Sequence, residues 1–157
     1  MRVQFKLNGQ RVAEEVNPEE TLLDFLRERL NLISVKKGCD EGACGTCTVL
    51  LNGQPVRSCL LLAVQLNGAD EIMTVEGLAK PGELSEIQEA FLEKYGFQCG
   101  FCTPGMILTA KALLDEKPRP TVAEIKDQFA GNLCRCTGYE QIIESVQRAA
   151  ELRARRR

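Results

Sequence analysis

The chain has 157 residues, is 44% hydrophobic and 27% charged, and carries a formal net charge of −2, a composition suited to one ordinary soluble domain or two small ones. That balance provides no positive field for nucleic acid, and the longest apolar run, residues 60–64, is far too short to cross a membrane. Neither a signal-peptide stretch nor a twin-arginine pair opens the sequence, so a cytoplasmic protein is expected.

Val3, Phe5 and Leu7 alternate with Arg2, Gln4 and Lys6, the pattern of a half-buried strand. Asn8-Gly9 is a hairpin signal, because both residues tolerate φ > 0, and residues 11–16 are predicted to return as a second strand. After the break at Asn17-Pro18 a helix is predicted, with Thr21 as N-cap, Asp24 three residues on, and an apolar face of Leu22, Leu23, Phe25, Leu26 and Leu30. Residues 48–51 and 54–59 then read as strands around a second Asn-Gly turn, Asn52-Gly53. Pro55 places the return strand at an edge or at its own first residue. Residues 71–76 read as a last short strand. This order predicts a small mixed sheet with a helix packed across it.

Residues 77–82, with Pro81 between glycines, look like a linker, which sets the expected domains at 1–77 and 78–157. Beyond the linker the apolar period becomes helical. Leu84, Ile87, Phe91, Leu92 and Tyr95 predict one helix, stopped by Gly96. Thr103-Pro104 caps and starts a second, lined by Met106, Ile107, Ala110, Leu113 and Leu114 and ended by residues 117–120. Thr121 and Glu124 form a capping box for a third, with Val122, Ile125 and Phe129 inward and Gly131 as its stop. Tyr139, Ile142, Ile143, Val146 and Ala150 stripe a fourth. Four short helices with brief loops predict an antiparallel bundle, and the basic end, residues 153–157, is expected to be frayed and solvated.

Eight cysteines and no histidine in a reducing compartment point to bound metal rather than cross-links. Cys39, Cys44 and Cys47 stand at C-x4-C-x2-C spacing, and eleven residues separate Cys47 from Cys59. Three thiolates on one tight loop and a fourth on a following strand is the plant-type pattern for a [2Fe–2S] cluster. Gly38, Gly42 and Gly45 suit a loop that wraps such a cluster with its N–H groups turned toward the sulfides. Zinc ligands more often come as two separated C-x2-C pairs, frequently with His. The remaining four, Cys99, Cys102, Cys134 and Cys136, fall in the loops between helices one and two and between helices three and four. In an up-down bundle these loops lie at the same end, so segments separated by 31 residues bring four thiolates together. The close C-x-C pair suits a two-iron cluster, where each pair can hold a different iron, with the pairing on the irons left open; a zinc site is the alternative for this half.

Residues 38–49, with the run Gly38-Cys39-Asp40-Glu41-Gly42-Ala43-Cys44-Gly45-Thr46-Cys47, residues 98–106 around Gln98-Cys99-Gly100-Phe101-Cys102, and residues 131–139 around Asn132-Leu133-Cys134-Arg135-Cys136 resemble, in one register, the iron–sulfur subunit of the molybdenum hydroxylases. This is the family of xanthine dehydrogenase, aldehyde oxidoreductase and carbon monoxide dehydrogenase. The resemblance implies an α+β chain, a β-grasp ferredoxin domain followed by a four-helix bundle, each with one [2Fe–2S] cluster held by the two cysteine sets. It implies electron transfer between molybdopterin on a large subunit and FAD on a medium subunit, in what would be a dimer of heterotrimers. It also implies that Gln98 touches the molybdopterin and that the Cys136 sulfur approaches the pterin. With no His and no nucleophile–base pair in view, the chain alone is expected to do no substrate chemistry. The competing reading is a free-standing carrier ferredoxin or a zinc-binding adaptor. The two bundle motifs weigh against it, since a plant-type ferredoxin needs only the first four cysteines.

Overall fold

The computed structural model describes residues 1–156. Strands β1 (Arg2–Leu7) and β2 (Gln10–Glu15) pair antiparallel around the Asn8-Gly9 turn. Strands β3 (Thr48–Leu51) and β4 (Gln54–Arg57) do the same around Asn52-Gly53. All four turn residues have positive φ, between 50° and 81°, which is why both turns are Asn-Gly. The short β5 (Glu71–Met73) lies between the two hairpins, parallel to β1 and antiparallel to β3, giving the order β2-β1-β5-β3-β4. The turn asparagines also anchor β5, at its first residue and at the residue just after its end. Asn8 Oδ1 accepts from the Thr74 amide at 2.8 Å, and Asn52 Oδ1 from the Glu71 amide at 2.8 Å.

Thr21 caps the helix as its sequence predicts, accepting from the Asp24 amide at 3.1 Å. Only Leu22–Asp24 winds as an α-helix (α1), however. Phe25–Arg29 winds as a π-helix, closed by the Leu30 amide on the Phe25 carbonyl at 3.1 Å. The wider turn lets four nearly consecutive apolar side chains, Leu22, Leu23, Phe25 and Leu26, reach full burial. Phe25 meets Phe5 edge to face, centroids 6.1 Å apart. Truncating such a ring to alanine costs about 3–5 kcal/mol.

The ends of three elements differ from the sequence expectation. β4 stops at Arg57, and Cys59 sits in a 3-10 turn, Ser58–Leu60, rather than on the strand. β5 stops at Met73, and Val75–Gly77 forms another 3-10 turn. β2 spans Gln10–Glu15, one residue earlier than predicted.

In the second half α2 (Glu86–Glu93), α3 (Thr103–Glu116), α4 (Val122–Gln128) and α5 (Glu140–Arg156) enclose a separate core of Ile87, Phe91, Met106, Leu114, Ile125, Ile142 and Val146. Thr121 and Glu124 form the predicted capping box. Ser85, with Gln88, forms a further one and begins α2 after Leu84. Leu84, Leu92, Tyr95 and Val122, expected on apolar faces, are exposed. Tyr95, at φ 54°, takes the left-handed position that ends α2; Gly96 is required instead because a side chain there would strike Phe91 and Ser145. Cys102, not Thr103, holds the N-cap position of α3. The basic end is not frayed. Arg153 reaches Glu86 and Asp115 at 2.8 Å each, and Arg156 reaches Glu89 at 2.7 Å, clasping α5 to α2 and α3; Arg157 lies outside the described residues. No helix among the described residues is long and apolar enough to cross a membrane.

Candidate metal centres

The run-in to the first cysteine loop is fixed from α1 and its π extension. Arg27 donates to the carbonyls of Ile33 and Val35 at 2.9 and 3.0 Å, and Lys37 bridges Asp24 and Asp40 at 2.9 and 3.2 Å. The loop then curls around its own sulfurs. Cys39 Sγ receives the amides of Cys44 at 3.3 Å and Glu41 at 3.5 Å. Those amides, Glu41 first, hold the Cys39 thiol down to about 7. Gly42, at φ 80°, lies beneath Leu60, whose side chain occupies the space a Cβ would need. Cys47 and Cys59 are buried with their sulfurs 3.4 Å apart, and Ser58 clamps them by donating its hydroxyl to the Cys47 carbonyl at 2.7 Å. Burial first, then the neighbouring Cys47, pushes Cys59 up to about 11.

The second set assembles as the loop positions predict, at one end of the helices. Cys136 Sγ stands 3.6 Å from Cys99 Sγ. The close pair Cys99–Cys136 therefore takes one sulfur from each loop. Burial first, then Cys134, pushes Cys102 up to about 12. At Cys134 burial acts upward, but the hydroxyl and amide of Thr137, at 3.2 and 3.5 Å, win and lower its pKa. Tyr139, expected within the stripe of the last helix, precedes α5. Its phenol accepts the Cys134 amide at 2.9 Å and donates to the Asn132 carbonyl at 3.2 Å, which pins the loop.

The donor chemistry suits an iron–sulfur cluster. Two thiolates on one tetrahedral metal, with bonds of about 2.3 Å, stand roughly 3.7 Å apart, and the Cys47–Cys59 and Cys99–Cys136 pairs fall just inside that value. Among the described residues no three His, Cys, Asp or Glu side chains close on one ion position; one close sulfur pair stands in each set, Cys47–Cys59 and Cys99–Cys136. Thiols whose burial raises them to about 11 and 12 need a bound cation to exist as thiolates near neutral pH.

Several residues around these sulfurs escape a reading of the sequence. Thr46 Oγ1 is 3.2 Å from Cys44 Sγ, the counterpart of Thr137 at Cys134; a hydroxyl two or three positions past a cysteine is the signal that marks both. Arg57 spans the two halves, giving one N–H to Thr48 Oγ1 at 2.9 Å and another to the Gly131 carbonyl at 2.6 Å. Gln98, Cys99, Arg135 and Cys136 are exposed, and so are the flanking Phe101 and Leu133. Arg135 touches neither sulfur set through a hydrogen bond of the described residues.

Fold and sulfur sets together define a protein of two tandem [2Fe–2S]-binding domains. Residues 5–73 match the family described as the 2Fe-2S iron-sulfur cluster binding domain, and residues 74–147 the one described as the [2Fe-2S] binding domain. The chain is 53% identical over 151 residues to the nicotinate dehydrogenase small FeS subunit of Eubacterium barkeri, covering 95% of this chain and 94% of that one. It is 46% identical over 147 residues to the xanthine dehydrogenase iron-sulfur-binding subunit of Escherichia coli O157:H7, covering 92% and 91%. The structure superposes on quinoline 2-oxidoreductase from Pseudomonas putida 86 with a TM-score of 0.94 at 45% identity, covering 99% of this chain and 96% of that one. The chain belongs to the iron–sulfur subunits of the molybdenum hydroxylase family. It is accordingly the electron-transfer component of an oxidoreductase.

Proposed function

We propose that residues 1–77 form a β-grasp ferredoxin domain and residues 78–157 a four-helix-bundle domain, and that each holds one [2Fe–2S] cluster. Cys39, Cys44, Cys47 and Cys59 are the ligands of the first; Cys99, Cys102, Cys134 and Cys136 are the ligands of the second. Each cluster supplies a one-electron store. The chain's own residues hold it, donate hydrogen bonds to its sulfurs and keep water from one side of it. The observation that carries the reading is that thiols from separate segments meet at two places, Cys47 with Cys59 at 3.4 Å and Cys99 with Cys136 at 3.6 Å, spacings suited to a shared metal.

The partners in this reading are a molybdopterin-binding large subunit and an FAD-binding medium subunit, assembled in the cytoplasm as a dimer of heterotrimers. The chain's exposed sulfur edge supports a covering partner. Cys99 and Cys136 are open to solvent, and Phe101 and Leu133 beside them are 44% and 52% exposed, an apolar rim of the kind that marks an interface. Gln98 and Cys136 stand on that edge and would face the pterin; the Asp40–Gly45 loop would face the acceptor.

Metal analysis of the purified chain tests the core of this reading. The protein should be red-brown and hold about four irons and about four acid-labile sulfides, two of each per site. Colourless protein with stoichiometric zinc would exclude it. Co-purification with a molybdopterin subunit tests the partner.

A further inference from the structure

The two sulfur sets are joined by a main-chain hydrogen bond. The Leu133 amide donates to the carbonyl of Cys44 at 2.8 Å, and Leu133 is bonded directly to Cys134. A candidate ligand of one site is thus one hydrogen bond and one residue away from a candidate ligand of the other. Next to this bridge lies Asn132, 3% exposed. Its Nδ2 donates to the Gly45 carbonyl at 3.2 Å and to Thr48 Oγ1 at 3.3 Å, both in the first half. Its Oδ1 accepts from Thr109 Oγ1 of α3 at 3.2 Å. The backbone of Asn132 is also bound at both ends, by its amide to the Phe129 carbonyl at 2.9 Å and by its carbonyl to the Tyr139 phenol at 3.2 Å.

We infer that Asn132 is the positioning residue that sets the separation of the two cluster sites, by holding closed the hydrogen bond between Cys44 and Leu133. Burying an amide is costly unless it is bonded, and an apolar residue of similar size fills the same space without that cost. What the amide adds is direction. Its donor side fixes Gly45, and its acceptor side fixes α3, so the loop carrying Cys134 is held in register with the loop carrying Cys44. Gly45 and Gly105 fit the same tight junction: a Cβ on Gly45 would strike the Gly131 carbonyl, and one on Gly105 would come within 2.7 Å of the Gly45 carbonyl. The transfer served is of one electron, lost by one site and gained by the other, with no bond made and no proton moved.

The inference rests on both sites holding [2Fe–2S] clusters, and its test separates the two claims. In the holo chain with both clusters reduced, low-temperature EPR reads the magnetic interaction between them, which falls with the cube of their separation. Asn132→Leu should keep the wild-type iron and sulfide content and both cluster signals, but lose or strongly reduce the splitting between them. Iron content below two clusters in the wild type would instead overturn the two-cluster reading. Asn132→Leu with two clusters and wild-type splitting would overturn the positioning role. Should that variant not fold, Thr109→Val and Arg57→Met loosen the junction from its two sides. Broadened coupling in both supports the role, and unchanged coupling in both overturns it. Asn132→Gln, which retains donor and acceptor, should restore part of the splitting.

Discussion

The hydroxyl of Thr137 donates to the sulfur of Cys134 at 3.2 Å. A hydrogen bond to a ligand sulfur withdraws electron density and favours the more negative, reduced state of a cluster. Thr137→Val should therefore lower the reduction potential of the second site and leave that of the first unchanged. If about 1 kcal/mol of the bond depends on redox state, the shift is on the order of 40 mV for one electron. Thr137→Ser should restore it. An EPR-monitored redox titration reads both sites at once; equal shifts at the two sites would mean that the valine disturbed the junction rather than the sulfur.

The Cys39 sulfur is held by the amides of Glu41 and Cys44 in its own loop. Cys39→Ser should remove or weaken the first cluster alone, halving iron per chain or shifting one EPR signal, with the second signal intact. Loss of both signals in folded protein would show that the two sulfur sets are not independent.

Gly45 has φ 73°, and a Cβ there would strike the Gly131 carbonyl. Gly53, at φ 81°, has open space around it. Gly53→Ala therefore measures the backbone strain alone, about 1–2 kcal/mol. Gly45→Ala should cost a further ~1–3 kcal/mol, because the junction has to open to admit the methyl group. It should also weaken the magnetic coupling between the clusters. Denaturant unfolding of the two variants side by side gives the difference, and equal losses would mean that the junction yields freely.

What could be read from the sequence was local. The Asn-Gly turns, the Thr21 cap, the Thr121–Glu124 box and the first cysteine loop each span only a few residues, and each carries its own conformational reason. The crossed pairing of Cys99 with Cys136 was not legible, because spacing along the chain says which sulfurs meet but not which are nearest. Arg57 on Gly131 and Asn132 on Gly45 join positions 74 and 87 residues apart, and a lone polar residue gives no sign of so distant a partner. The π winding after α1 was hidden for another reason: Leu22, Leu23, Phe25 and Leu26 suit a helix of either period. The clasp at the basic end was hidden because arginines at a chain end look alike whether solvated or paired.

That clasp carries a pH dependence. Burial acts to raise the Glu86 pKa, but Arg153 at 2.8 Å outweighs it, and the group lies below its ordinary 4.5. A carboxylate with a depressed folded pKa adds stability that is complete above its unfolded value and is lost as pH falls through the folded one. Arg153→Met should thus lower stability at neutral pH by no more than ~1 kcal/mol after solvent screening, and the gap to wild type should close below about pH 4.5. Glu124, held at about 2 by Lys117 and then by Thr121, is common to both proteins and cancels. A gap that stays constant with pH, read from urea midpoints, would assign the Arg153 contribution to packing.

Gln98 tests which face receives electrons. It precedes Cys99 and is exposed beside the open sulfur edge, but it is not among the proposed ligands, so Gln98→Ala should retain both clusters and full iron content. In the proposed complex its amide hydrogen-bonds the pterin across the subunit boundary. Removing one neutral hydrogen bond costs roughly 0.5–1.5 kcal/mol, up to about tenfold in affinity. The variant should bind the molybdopterin subunit more weakly or be reduced more slowly by substrate. Reduction from the flavin side, which would arrive through the Asp40–Gly45 loop, should hardly change. Stopped-flow spectra of the assembled complex, reduced from either end, separate these outcomes. Slowing confined to the flavin side would reverse the two faces, and loss of the second cluster would make Gln98 a structural support of the Cys99 loop.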